Sequence, residues 1–441
     1  MTTSSASGFR MFDSGGRGEV PRGGGPVANS RQRVVVYLDA QESGPRRIIG
    51  TLGRERSGSK SVISFAYDPS WLTARDSFAL DPSLPLYEGE QFKGTLPGIF
   101  TDAAPDRWGR TLLERREALT ARREERRQRR LDDWDFLIGV NDQTRMGALR
   151  LARVSDGAFV DDEPLSVPPS TRLRDLEHLA RELEKGHPST ASEGERWIAM
   201  LIAPGSALGG ARPKANFMGE DRALWIAKFP SREDRHDVGG WEYVVTLLAR
   251  DAGIDVPQTR LLQPGSMYRT FCARRFDRIG STRRLYASAM TLVGRRDNEN
   301  ASYLDLARAI VNLSDPAGIV DDLQHLYRRV VFNVLTANRD DHLRNHGFLR
   351  TRKGWRLSPA FDVNPSPEKL EHSLAINDTL RIPDLEIVLE TAPFYRLSGA
   401  TRDQIVGEVR RAVSRWSSVA RKARITKDEI ERFANAFEIG K

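Results

Sequence analysis

Between residues 319 and 365 the chain changes character in an order that few folds accommodate. Ile319, Leu323, Leu326, Val330 and Val334 recur every three to four residues, the spacing of a helix with one buried face. The stripe stops near Thr336 and Ala337. A polar loop follows, Asn338-Arg-Asp-Asp-His-Leu-Arg-Asn345. Residues 346–350 and 355–357 then read as short strands around the turn Arg352-Lys353-Gly354, and Ser358-Pro359-Ala360-Phe361-Asp362 closes the stretch. A buried helix feeding a polar loop and a hairpin gathers Asp340, Asn345 and Asp362 at one end of a packed unit.

The rest of the chain has to supply a partner for that end. Its 441 residues are enough for two or three domains. No apolar run reaches the 18 residues of a membrane span, and residues 1–26 lack the apolar core of a secretory signal, so a cytoplasmic protein without membrane association is expected. The single cysteine, Cys272, excludes a disulfide framework and a cysteine-based zinc site; it reads as a small buried apolar residue. The net charge of +8 is compatible with an anionic substrate or nucleic acid, but acidic residues are spread among the basic ones.

Residues 1–30 are rich in Gly and Ser and read as a disordered tail. Residues 33–38, 47–52 and 62–67 read as strands of a small β-rich unit. A helix is expected over 106–130, its first half docked by Trp108, Leu112, Leu113 and Leu119. Its second half, ARREERRQRR, reads as a solvated face with Glu–Arg pairs rather than a nucleic-acid contact. Residues 165–169 look like a linker. A helix over 171–183 has Leu173, Leu176, Leu179 and Leu183 on one face.

The segment 204–217, PGSALGGARPKANF, is a glycine-rich loop followed by a lysine, a pattern able to cradle phosphate with backbone N–H groups, though it is not a P-loop. Residues 225–230 form a strand with Lys228 inside an apolar run, which is often just an edge-strand lysine reaching water. A helix over 237–251 follows, with Asp237 as N-cap, Gly253 at its end and Glu242 beside the buried stripe Trp241, Val244, Val245 and Leu248. A strand lysine with a glutamate on the next helix is how protein kinases hold the α- and β-phosphates. Residues 257–262 and 268–276 read as a hairpin ending at Arg275-Phe276-Asp277-Arg278. In a kinase-like layout its end is the hinge against adenine.

Asp340 and Asn345 share the D-x-x-x-x-N spacing of a kinase catalytic loop, and Asp362 is the acidic residue that follows. Phosphoryl transfer needs positioning and neutralisation of phosphate charge, and oxygen ligands suit Mg²⁺. Asp340 would accept the proton of the acceptor hydroxyl; Asn345 and Asp362 would hold metal. Asp-Asp-His could also ligate a metal in a hydrolase, but only His342 and His346 lie here. The order Lys228, Glu242, Asp340, Asn345, Asp362 favours phosphotransfer.

These residues resemble the HipA-like family, the serine/threonine kinase toxins of bacterial toxin–antitoxin pairs. The matching pieces are Gly210-Ala-Arg-Pro-Lys214, Ile226-Ala-Lys-Phe-Pro230, Trp241-Glu-Tyr243, Ala273-Arg-Arg-Phe-Asp-Arg278, Asn338-Arg-Asp-Asp-His-Leu-Arg-Asn345 and Pro359-Ala-Phe-Asp362. Leu84-Pro85-Leu86 and Pro105-Asp106 match in the N-terminal unit.

The resemblance implies an α+β, two-lobed protein-kinase-like fold. It is divided here into a tail (1–30), a β-rich N-terminal domain (31–155), an ATP lobe (156–278) and a helical catalytic lobe (279–441). It further implies ATP and Mg²⁺ as cofactors, Asp340 as catalytic residue, and Asn345 and Asp362 on metal. Lys228, Glu242, Gly209, Gly210, Arg274, Phe276 and His342 would surround the nucleotide. A protein acceptor such as an aminoacyl-tRNA synthetase is implied too, with a small helix-turn-helix antitoxin that alone would bring the chain to DNA.

The family often autophosphorylates a Ser three residues before the glycine equivalent to Gly210. Ala207 stands there, so this regulation is either lost or moved to Ser206. Arg212 stands where some members have Gln. An idle binding module for a DNA-binding partner and a small-molecule phosphotransferase remain as alternatives. Residues 370–441 are expected to be mostly helical packing elements.

Overall fold

The computed structural model describes residues 30–57, 60–161, 167–185, 201, 212–297 and 299–437. Residues 1–29 of the proposed tail (1–30) and residues 204–211 of the glycine-rich segment (204–217), with Ser206, Ala207, Gly209 and Gly210, lie outside the described residues; Ser30, assigned to the tail, begins a strand instead.

The N-terminal unit is a five-stranded antiparallel sheet ordered β4-β3-β2-β1-β5. Its strands are β1 (Ser30–Leu38), β2 (Arg47–Ser57), β3 (Lys60–Tyr67), β4 (Glu90–Lys93) and β5 (Leu149–Arg153). Alternation sets the inner face: Val34, Val36 and Leu38 are buried while Arg33, Val35 and Tyr37 are not. The same apolar cluster continues through Ile99 and Phe100 to Tyr303, Leu306 and Leu326 in the helical lobe.

One expectation fails in this unit. The helix begins at Arg107, capped by Asp106, but ends at Arg123 rather than Arg130. Glu125 turns left-handed (φ +50°), and the chain folds back onto Glu117. That buried carboxylate accepts from Arg126 Nη1 at 2.5 Å, Arg129 Nη2 at 3.2 Å and the Arg129 backbone N–H at 2.9 Å. Spacings of nine and twelve residues cannot form on one straight helix face, and satisfying a buried carboxylate outweighs about two more solvated turns.

A four-stranded antiparallel sheet ordered β6-β7-β9-β8 forms the second layer: β6 (Lys214–Met218), β7 (Leu224–Lys228), β8 (Thr259–Leu262) and β9 (Thr270–Arg274). β7 is an inner strand, so Lys228 is not an edge lysine. The helix Leu173–Lys185 packs its leucines into this sheet's core with Phe217 and Trp225. Behind the sheet lies the helix Val238–Asp251, N-capped by Asp237. Its first turn abuts the strand because Gly239 has no side chain; a Cβ there would lie 2.3 Å from the Arg269 carbonyl oxygen.

A two-residue ribbon of β10 (Arg278–Ile279) and β11 (Thr282–Arg283) leads into the helical lobe. There the sheet β12-β13-β14 (Tyr286–Ser288, Gly347–Arg350, Trp355–Leu357) packs beside the central helix Ile319–Leu335. The C-terminal helices begin only at Leu385. Residues 370–384, expected to share that helical character, form instead a folded loop against the polar loop after Leu335, because the short Asn- and Asp-rich turns at 377–384 hydrogen-bond their own backbone. No helix among the described residues is long and apolar enough to cross a membrane.

Candidate active site

Lys228 ends β7 with its side chain turned toward the helical lobe. Its Nζ lies 2.5 Å from Glu242 Oε1 and 2.6 Å from Asp362 Oδ1. Burial alone would strip its proton, but the carboxylates of Asp362 and Glu242 outweigh that and raise its pKa. Burial likewise pushes Asp362 up, yet the Lys228 ammonium holds it below the usual carboxylate range. Glu242 stays raised, since burial exceeds what Lys228 returns. The structure therefore brings together three residues separated by up to 134 positions.

Above this triad is an apolar cavity walled by Ile226, Thr246, Pro257, Phe271, Ala273 and Phe361. Arg274 and Phe276 border it. The Phe276 ring is 5.5 Å from Phe361 and 6.0 Å from Tyr286. The segment that follows is fixed from below. Arg275 is buried and donates to Asp277, to the Thr144 carbonyl at 2.7 Å and to Asn216 Oδ1 at 3.1 Å, while Asp277 accepts the Gly147 N–H at 2.9 Å. The N-terminal unit thus holds the cavity's rear edge.

The loop after the central helix reverses at Ala337 (φ +49°). Its two adjacent aspartates point apart. Asp341 is buried and accepts from Tyr303 Oη at 2.7 Å, His346 Nε2 at 2.7 Å and Asn333 Nδ2 at 2.8 Å. It scaffolds the loop, a role the sequence reading missed; nothing in an Asp-Asp pair says which member faces inward. Asp340 is more than half exposed and pairs with Lys369. Asn345, on a short 3₁₀ turn, donates to the Asp340 carbonyl at 3.4 Å. Its Oδ1, the Oδ1 of Asn364 and the Nδ1 of His342 are buried and find no hydrogen-bond partner among the described residues. Asp362 sits at φ +59°, rare for a residue with a side chain and a mark of strain at functional positions.

The buried, orphaned Oδ1 of Asn345 and the Asp362 carboxylate are both hard oxygen donors, the kind that fits Mg²⁺, which takes few protein oxygens and keeps its waters. Among the described residues no cluster of three His, Cys, Asp or Glu could hold a metal by itself.

Comparison with known proteins identifies the architecture. The HipA N-terminal domain matches residues 44–152 and the HipA-like C-terminal domain residues 206–424. The chain belongs to the HipA-like family. HipA of Shewanella oneidensis MR-1, solved with HipB and operator DNA, has the same fold at 18% identity, with a TM-score of 0.62 over 92% of this chain and 96% of that one. The proinflammatory kinase CtkA of Helicobacter pylori aligns over 48% of this chain and 94% of its own, at 15% identity and a TM-score of 0.32. A putative kinase of Haemophilus influenzae is 24% identical over 196 residues, 38% of this chain; the match spans 56% of that relative's length. The mixed α/β, kinase-like fold expected for a HipA-like chain is the one observed.

Proposed function

We propose that this HipA-like chain is an ATP- and Mg²⁺-dependent serine/threonine protein kinase, acting in the cytoplasm as the toxin of a toxin–antitoxin pair. The observation that carries the reading is Lys228, bridging Glu242 and Asp362 beneath an apolar cavity. The cavity suits a flat apolar base, with Arg274 and Phe276 at its hinge side. Lys228, kept charged by its carboxylates, faces the α- and β-phosphates, and His342 lies next to them. Asn345 and Asp362 would hold Mg²⁺, which would neutralise phosphate charge when bound. Asp340 orients the acceptor hydroxyl and takes its proton. By resemblance to the family, Gly209 and Gly210 would cover the phosphates and Ser206 would be the hydroxyl for any autophosphorylation. Shewanella HipA was solved with HipB and operator DNA, which supports a small DNA-binding antitoxin as partner here.

The test is transfer from γ-labelled ATP to the protein itself or to bacterial extract. Asp340→Ala should lower transfer at least about 10³-fold and relieve growth arrest while ATP still binds. Labelling by this variant at the wild-type rate would refute the assignment.

A further inference from the structure

Asp340 has one charged partner among the described residues, Lys369, which lies 29 positions downstream on the loop 366–373. Both side chains are about half exposed, so the pair adds little to stability. The backbone around it is nevertheless fastened with care. The Ser366 N–H donates to the Ala337 carbonyl at 2.8 Å and the Lys369 N–H to Ser366 O at 3.1 Å. The Arg339 carbonyl accepts from both the N–H (2.9 Å) and the Oγ (3.1 Å) of Ser373. The Arg339 guanidinium donates to the carbonyls of Pro367 and Lys369. The loop is wrapped around one residue of the catalytic segment, and its outcome is an ammonium on the Asp340 carboxylate.

The other cations nearby are committed. Arg339 is used on those carbonyls, Arg344 pairs with Asp297 at 2.6 Å, and Lys228 is held by Glu242 and Asp362 at the far side of the cleft. The position two after Asp340 is His342, not a lysine.

Building on the kinase reading above, we propose that Lys369 is a further catalytic residue, the cation that covers the γ-phosphoryl group during transfer. A hydroxyl hydrogen-bonded to Asp340 lies within reach of Nζ, and so do the oxygens of the phosphorus it attacks. In the step, the acceptor oxygen bonds to the γ-phosphorus and the bond to the bridging oxygen of ADP breaks. ADP leaves with that electron pair, and the hydroxyl proton passes to Asp340. Charge spreads over the three non-bridging oxygens, and Lys369 donates to one of them from a fixed loop.

The experiment compares Lys369→Met and Lys369→Arg with the wild-type full chain. The readouts are transfer from γ-labelled ATP, ATP affinity, thermal midpoint, and affinity for ADP and Mg²⁺ with and without aluminium fluoride, which mimics the phosphoryl group in flight. Lys369→Met should lose about 10²- to 10³-fold in rate, keep ATP affinity and thermal midpoint, and lose the tightening of ADP by fluoride. Lys369→Arg should recover at least part of both. Wild-type turnover or wild-type fluoride tightening in Lys369→Met would overturn the inference, as would a gain in rate, which would make Lys369 a plug. A wild-type chain that neither transfers nor tightens on ADP with fluoride would defeat the kinase reading itself.

Discussion

His372 is buried against the Asn338 backbone, in the loop that faces Asp340's segment. Burial lowers its pKa to about 4, despite the Asp341 carboxylate nearby. The unfolded chain binds this proton near the ordinary value of about 6.5, so between 6.5 and 4 it holds more protons than the native state. Stability is therefore full above pH 6.5 and falls until about pH 4, by about 3 kcal/mol. Urea denaturation at pH 7.5 and 4.5 should show that loss, and His372→Gln should flatten it; an unchanged slope in the variant would place the acid sensitivity elsewhere. At this scale the sequence was legible where order and spacing carried meaning, as for Lys228, Glu242 and Asp362. It was silent on Asp341 and Lys369, because which way a loop side chain points depends on distant contacts.

The Asp106 carboxylate ties two elements together. One oxygen caps the helix Arg107–Arg123 at the Gly109 N–H (2.8 Å), and the other lies 2.6 Å from Lys214 Nζ on β6. The indole of Trp108 donates to the Lys214 carbonyl at 3.1 Å. Lys214 is the cross-strand partner of Lys228, so the N-terminal unit grips the strand next to the one that carries Lys228. Asp106→Ala should cost about 3–5 kcal/mol, because it leaves an ammonium buried without its carboxylate, and replacing both residues with apolar ones should cost less. Guanidinium unfolding of the singles and the double measures this; a double variant as unstable as the sum would argue against coupling. The helix could be read from periodicity, but β6 falls largely in a segment that reads as a glycine-rich loop. Their junction could not, since 108 residues separate its partners, and the Glu–Arg run that looked like about two more turns of helix folds back for the same kind of reason.

Across the whole molecule, the last helix reaches the first residues of the Glu242 helix. Phe433 stacks on Trp241 with ring centroids 4.4 Å apart, and Phe437 and Trp416 extend the stack. Glu429 accepts from the Trp241 indole at 3.0 Å and from the Asp237 N–H at 3.2 Å. Ile430, Phe433 and Phe437 are recognisable in the sequence as a buried stripe, but a stripe does not name the surface it covers. Here that surface carries the residue beside Glu242, so the chain's end braces the carboxylate that orients Lys228. Phe433→Ala should cost about 3–5 kcal/mol of stability and also weaken ATP binding, because the helix holding Glu242 loses its outer support. Phe394, which is exposed, provides the control: its alanine variant should stay within about 0.5 kcal/mol of wild type. If Phe433→Ala loses stability but binds ATP with wild-type affinity at a temperature where it is fully folded, the brace supports the fold alone and the link to Lys228 fails.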